Sequence, residues 1–284
     1  MKAECLASVA CFGGEQRRYR HSADTTQCDM HFSVFLPPQA QTTRVPVLIW
    51  LSGLTCTDEN FVTKAGAQRY AAELGLALVA PDTSPRGEGV PDDPDGAYDL
   101  GLGAGFYVNA TQSPWSSHYQ MADYVVDELT ETLAAIDALD LQRSSLSGHS
   151  MGGHGAITLG LNNALKYQSL SAFAPISSPM HCPWGQKALS HYLGDNQQDW
   201  HAHDGAWLVA NSATHLPLLV DQGDSDNFLT EQLQPERLLE AAAQSHYPMI
   251  HRMRAGYDHS YFFVASFIGE HLAFHAKHLR ASSC

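Results

Sequence analysis

Gly148-His149-Ser150-Met151-Gly152-Gly153-His154-Gly155 reads as a strand turning sharply into a helix. Leu146 lies just before it, and Ala156-Ile157-Thr158-Leu159 continues it as a helix-compatible run. In such a turn backbone and side chains crowd together, and residues without a Cβ fit where others do not. The turn lifts the Ser150 hydroxyl above a sheet, and the helix start presents free N–H groups to a developing anion. Ser147 is a second hydroxyl, but it falls inside the strand.

Strand-like and helix-like segments alternate on both sides of this turn. Residues 28–36 alternate apolar and polar, as a half-buried strand does. Residues 45–51 form a continuous apolar run that suits a strand covered on both faces. Asp58 is placed to cap a helix reaching Leu74, with Gly75 as its stop. Residues 76–80 predict the next strand. Met121, Val125, Leu129, Leu133 and Ile136 recur every three or four residues and predict one long amphipathic helix. Residues 170–175, 216–220 and 251–255 read as short strands, and 235–243 and 261–279 as helices. Strands alternating with helices imply an α/β fold, a mostly parallel sheet with helices on both faces. Ligands of such sheets sit beyond the carboxyl ends of the strands. Residues 82–105, dense in Gly, Pro and Asp, read as an ordered excursion over the body.

The 284 residues are read as one domain, 1–284, with no repeat or linker. With 16 Lys+Arg against 30 Asp+Glu the net charge is −14, which argues against nucleic acid and anionic membrane surfaces as partners. No apolar run approaches the ~20 residues of a membrane span. The weak apolar stretch before Gly13-Gly14 is broken by Glu4 and is not read as a signal peptide. Cysteines at 5, 11, 28, 56, 182 and 284 form no CxxC pair and are expected to be reduced thiols in the cytoplasm.

A serine at its ordinary pKa needs a base, and the base needs an acid to orient it. In this kind of fold they follow in the order Ser, Asp/Glu, His. His259, before the last helix, is the natural base. Its acid is sought among Asp221, Asp224, Asp226 and Asp258. Asp221 ends a strand and Asp258 adjoins the base and points elsewhere, which leaves Asp224 and Asp226. The oxyanion donors are expected from Met151 and from the loop Ser52-Gly53-Leu54-Thr55-Cys56, through Leu54. His201-x-His203 lacks a suitably spaced third ligand, so no metal site is expected.

The chain resembles the S-formylglutathione hydrolase (esterase D) family over about residues 5–280. The segments that carry the resemblance are Leu51 to Phe61, Asp82-Thr83-Ser84-Pro85-Arg86-Gly87, Gly103 to Tyr107, Gly148 to Gly155, Cys182-Pro183-Trp184-Gly185, Asp221-Gln222-Gly223 and Gly256 to Ser260. The resemblance implies an α/β-hydrolase, commonly a cytosolic homodimer, without a cofactor. It implies hydrolysis of the thioester S-formylglutathione in formaldehyde detoxification. It also implies a triad of Ser150, Asp226 and His259, Asp226 being chosen by the match Asp221-Gln222-Gly223-x-x-Asp226-x-Phe228-Leu229. Cys56 and Trp184 are candidate substrate contacts, and Lys64 and Arg86 candidate partners for glutathione carboxylates. The acidic loop 88–97 departs from the family pattern and bears on access to the site. A general carboxylesterase or an acyltransferase with the same triad is the alternative reading.

Overall fold

The computed structural model describes residues 3–280; residues 1–2 and 281–284, Cys284 among them, lie outside the described residues. Among the described residues, nine strands form one sheet in the order β1-β2-β3-β5-β4-β6-β7-β8-β9. β1 (Glu4–Cys11) and β2 (Gly14–Ala23) make an antiparallel hairpin. β2 pairs antiparallel with β3 (Cys28–Leu36), and β3 pairs antiparallel with β5 (Ala77–Pro81). From there the sheet is parallel through β4 (Val45–Leu51), β6 (Leu139–His149), β7 (Leu170–Phe173), β8 (Leu218–Gly223) and β9 (Met249–Arg254). The apolar runs of β4 and β5 are buried on both faces, as their composition requires.

Among the described residues, ten α-helices flank the sheet. α1 (Asp58–Lys64) and α2 (Ala67–Leu74) follow β4. α3 (Met121–Asp123) runs through a π-helical turn (Tyr124–Glu128) into α4 (Leu129–Leu133). α5 (Met151–Asn162) leaves β6, and α6 (Pro183–Leu193), α7 (Gln197–Trp200) and α8 (Gly205–Asn211) lie between β7 and β8. α9 (Pro235–Ser245) precedes β9, and α10 (Tyr261–Leu279) closes the fold. Their buried side chains and the sheet form one hydrophobic cluster.

Several local expectations are corrected. The helix expected over 58–74 is two helices, because Gly66 sits in the left-handed region at φ 63° and starts α2 afresh. Asp58 is not its cap. Thr57 caps α1, accepting from the Glu59 amide, while Asp58 is buried and accepts from Arg18 and Ser33. The 121–136 helix ends at Leu133 and contains a π turn, yet Met121, Val125, Leu129 and Leu133 are all buried as their spacing predicts. The weak apolar stretch at the N-terminus is edge strand β1.

Candidate active site

Ser150 occupies the turn between β6 and α5 with φ 57° and ψ −120°, a conformation L-residues avoid unless their surroundings impose it. The crowding there is severe. A Cβ on Gly148 would lie 2.2 Å from the Gly152 carbonyl oxygen, and one on Gly152 1.9 Å from that of Leu51. Both glycines are therefore required by the approach of β4 and β6. The Ser150 amide donates to the Phe173 carbonyl at 2.9 Å, which ties the turn to β7. Ser147 lies within β6 and its hydroxyl is paired with that of Ser171 at 2.8 Å.

His259 lies on the loop between β9 and α10. Its Nδ1 is 2.6 Å from Asp226 Oδ2, and the Asp226 side chain is fully buried. A carboxylate can only accept here, so Nδ1 carries the proton and Nε2 is left as an acceptor. The second Asp226 oxygen accepts from the Phe228 amide at 2.8 Å, which fixes the carboxylate plane. The other three acids are committed elsewhere. Asp221 is buried between Arg252 Nε at 2.6 Å and Arg254 Nε at 2.8 Å. Burial raises its pKa, but His271 and the two arginines outweigh this and hold it down to about 2. Asp224 accepts from the Gly256 amide, and Asp258 from Ser260.

Ser150 and His259 line one cavity of about 320 Å³, which also contains Leu54, Cys56, Lys64 and Trp184. Gly53 lets the loop after β4 close over the serine, since a Cβ there would sit 3.2 Å from Ser150 Cβ. Neither the Leu54 nor the Met151 amide has a backbone acceptor among the described residues, and Met151 begins α5. Both amides are thus free to meet an anion at the Ser150 turn.

The predicted contacts separate. Cys56 is buried, and burial raises its pKa, keeping it a thiol. Lys64 is exposed at the rim with its ammonium 5.7 Å from the Tyr261 ring centre. Trp184 is a wall residue, packed on Phe228 at 4.7 Å. Arg86 is a correction: it is absent from the cavity wall, because its guanidinium is bound to Asp82 and to the Cys56 carbonyl. His201 stacks on Trp207 at 4.9 Å, and no group of three metal-ligating side chains converges among the described residues.

The wall residues that escaped the sequence reading include Tyr98, His149, Phe228 and Tyr261. Phe228 and Tyr261 flank the triad segments, and that proximity was the available signal. Tyr98 comes from the segment just after the acidic loop and accepts from Trp184 Nε1 at 3.2 Å. Lys187 of α6 anchors the same stretch through Asp93 at 3.2 Å and Asp99 at 2.6 Å. The His149 ring packs 4.5 Å from that of His259, and burial, then the nearby His259, lowers its pKa well below the ordinary value.

The sequence model of the Esterase family matches residues 23–274. An S-formylglutathione hydrolase of Rattus norvegicus is 47% identical over 283 residues, covering 99% of this chain and all of the relative. The chain belongs to the S-formylglutathione hydrolase family. A solved family structure, from Agrobacterium tumefaciens, superposes with a TM-score of 0.95 at 43% identity, covering 99% of this chain and 100% of the other. A fluorophosphonate-binding serine hydrolase of Staphylococcus aureus shares the fold at a TM-score of 0.73 and 18% identity, covering 93% of this chain and 98% of its own.

Proposed function

We propose that this chain is a serine hydrolase that cleaves S-formylglutathione to formate and glutathione. His259 Nε2 takes the Ser150 proton as Ser150 Oγ attacks the formyl carbon. The Leu54 and Met151 amides hold the oxyanion, and each such donor is worth roughly a hundred- to thousandfold in rate. Glutathione leaves as its thiolate, a better leaving group than an alkoxide. Water activated by His259 then attacks the formyl-enzyme and releases formate. Asp226 fixes the histidine tautomer throughout.

The observation that carries the chemistry is the buried 2.6 Å Asp226–His259 pair on the cavity that contains Ser150. The substrate follows from the full-length relative, which is an S-formylglutathione hydrolase. One domain spanning the chain, a homodimer, and a cytoplasmic place in formaldehyde detoxification belong to the same reading. The five described cysteines, all free thiols, support a reducing compartment. The alternative, a general carboxylesterase or acyltransferase, shares every catalytic residue.

The test compares kcat/KM for S-formylglutathione, S-acetylglutathione and p-nitrophenyl acetate, with Ser150→Ala as the blank. A preference of about ten- to two-hundredfold for the formyl over the acetyl thioester is expected from one methyl group in a small acyl pocket, and a larger one over p-nitrophenyl acetate, which lacks the glutathione contacts. Equal rates on all three would move the protein to a general esterase. Ser150→Ala activity above about 1% would overturn the serine mechanism.

A further inference from the structure

The excursion between β5 and α3 grips the loop that carries the proposed oxyanion donor. The Tyr107 hydroxyl donates to the Ser52 carbonyl at 2.8 Å. Arg86 Nη2 donates to the Cys56 carbonyl at 3.0 Å, and the Thr83 hydroxyl donates to the same oxygen. From the other side, the Thr55 amide donates to the Gly103 carbonyl at 2.9 Å. Both ends and the middle of the segment Ser52-Gly53-Leu54-Thr55-Cys56 are therefore held. None of the gripping residues lines the cavity.

The grip reaches the Leu54 N–H through one further bond. The Cys56 amide donates to the Gly53 carbonyl at 3.3 Å. That carbonyl and the Leu54 N–H belong to the same rigid peptide plane. Fixing Cys56 therefore fixes the direction in which the Leu54 N–H points.

The gripping residues are themselves constrained. Arg86 Nε lies 3.1 and 3.0 Å from the two Asp82 oxygens, and the Thr83 amide donates to Asp82 at 2.6 Å. Tyr107 is fully buried at φ 54°, directly after Phe106 at φ 48°. Two consecutive left-handed residues of this size persist only where the surroundings over-determine them. Gly103, at φ +79°, brings its backbone so near that a Cβ would lie 3.0 Å from Thr55 Cα.

We propose that Tyr107, Thr83 and Arg86 are positioning residues that aim the Leu54 N–H at the oxyanion. This rests on the serine-hydrolase reading above. The energetic reason is that a donor placed for the transition state needs no reorganisation during reaction, and small misplacements are costly.

The experiment uses Tyr107→Phe and Thr83→Val, with Thr83→Ser as the conservative rescue. Arg86→Gln, at a half-exposed position, carries the test if Thr83→Val does not fold. The readouts are kcat and KM on p-nitrophenyl acetate and S-formylglutathione. They are joined by the affinity of butylboronic acid, which forms a tetrahedral adduct with the serine, and of S-methylglutathione, which does not. Thermal melts confirm that each variant is folded. Tyr107→Phe and Thr83→Val are expected to lower kcat about ten- to hundredfold and to weaken butylboronic acid in step. KM and S-methylglutathione affinity stay near wild type, and Thr83→Ser recovers. Unchanged kcat in folded variants, a loss that follows the folded fraction, or no recovery in Thr83→Ser would overturn the proposal. An active Ser150→Ala would instead overturn the serine reading beneath it.

Discussion

Asp226→Asn tests the site at its most constrained bond. Asp226 Oδ1 accepts from the Phe228 amide at 2.8 Å, so the asparagine carbonyl must take that place. Its NH2 group is then forced to the Oδ2 position, 2.6 Å from His259 Nδ1. A donor now faces Nδ1, which must become the acceptor, and the proton moves to Nε2. In that tautomer His259 cannot take the Ser150 proton. Returning the proton to Nδ1 forfeits a charge-assisted hydrogen bond, worth about 1.5–3 kcal/mol. It also sets two buried donors against each other, at about 1–3 kcal/mol. Together these predict a fall in kcat of roughly two to four decades. Asp224→Asn is the control: Asp224 is exposed and bonds the Gly256 amide and the Ser225 hydroxyl, so its effect on kcat should be small. Loss of the thioester ultraviolet absorbance measures the rate, and fluorophosphonate labelling measures the nucleophile. Asp226→Asn within tenfold of wild type, or Asp224→Asn equally impaired, would refute the assignment.

Lys64→Met removes an exposed charge at the cavity rim, a contact worth about 0.5–1 kcal/mol. KM for glutathione thioesters should rise about two- to fivefold while p-nitrophenyl acetate is unaffected; equal effects on both would exclude a carboxylate contact. Asp221→Asn leaves Arg252 and Arg254 sharing a neutral partner. With the arginine heads partly in solvent, a loss of about 3 kcal/mol and roughly 5 °C in Tm is expected by calorimetry, and an unchanged Tm would show the cluster idle. His154 is fully buried with neither ring nitrogen hydrogen-bonded among the described residues, and burial, then His203, lowers its pKa to about 3. The unfolded imidazole binds a proton near ~6.5, so stability is retained above that pH and falls as pH drops toward 3, on the order of 1 kcal/mol per unit. His154→Leu should flatten the fall in urea midpoint between about pH 7 and about pH 5; parallel curves would reject this.

Much of this architecture is written locally. β3, β4 and α10 begin and end where alternation, apolar runs and capping place them. β2 is illegible by that route, because Arg17, Arg18 and Arg20 look like solvated surface. In the fold they are paired with Glu15, Asp58 and Glu4 on a strand between two others. The break at Gly66 has a local signal, a glycine taking a left-handed φ in open space, whereas the π turn at Tyr124–Glu128 leaves no periodic trace. At the site, the glycines around Ser150 announce themselves, because only missing side chains permit that crowding. The choice between Asp224 and Asp226 does not, since both lie in one acidic turn two residues apart. Arg86 misled for the same reason: a cation in the sequence carries no sign of whether its partner is a substrate or Asp82.

The connection order of the sheet has a consequence for the nascent chain. Ser150 emerges with β6, in the middle of synthesis, but its proposed partners sit after β8 and β9, the last two strands in the chain. A ribosome-bound chain can close the elbow and bury most of its core while remaining chemically silent. Only the docking of β9 and the start of α10 delivers His259 to Asp226. Hydrolytic activity through the proposed triad therefore requires the segment after β9 to be in place, and not only the core around the Ser150 turn.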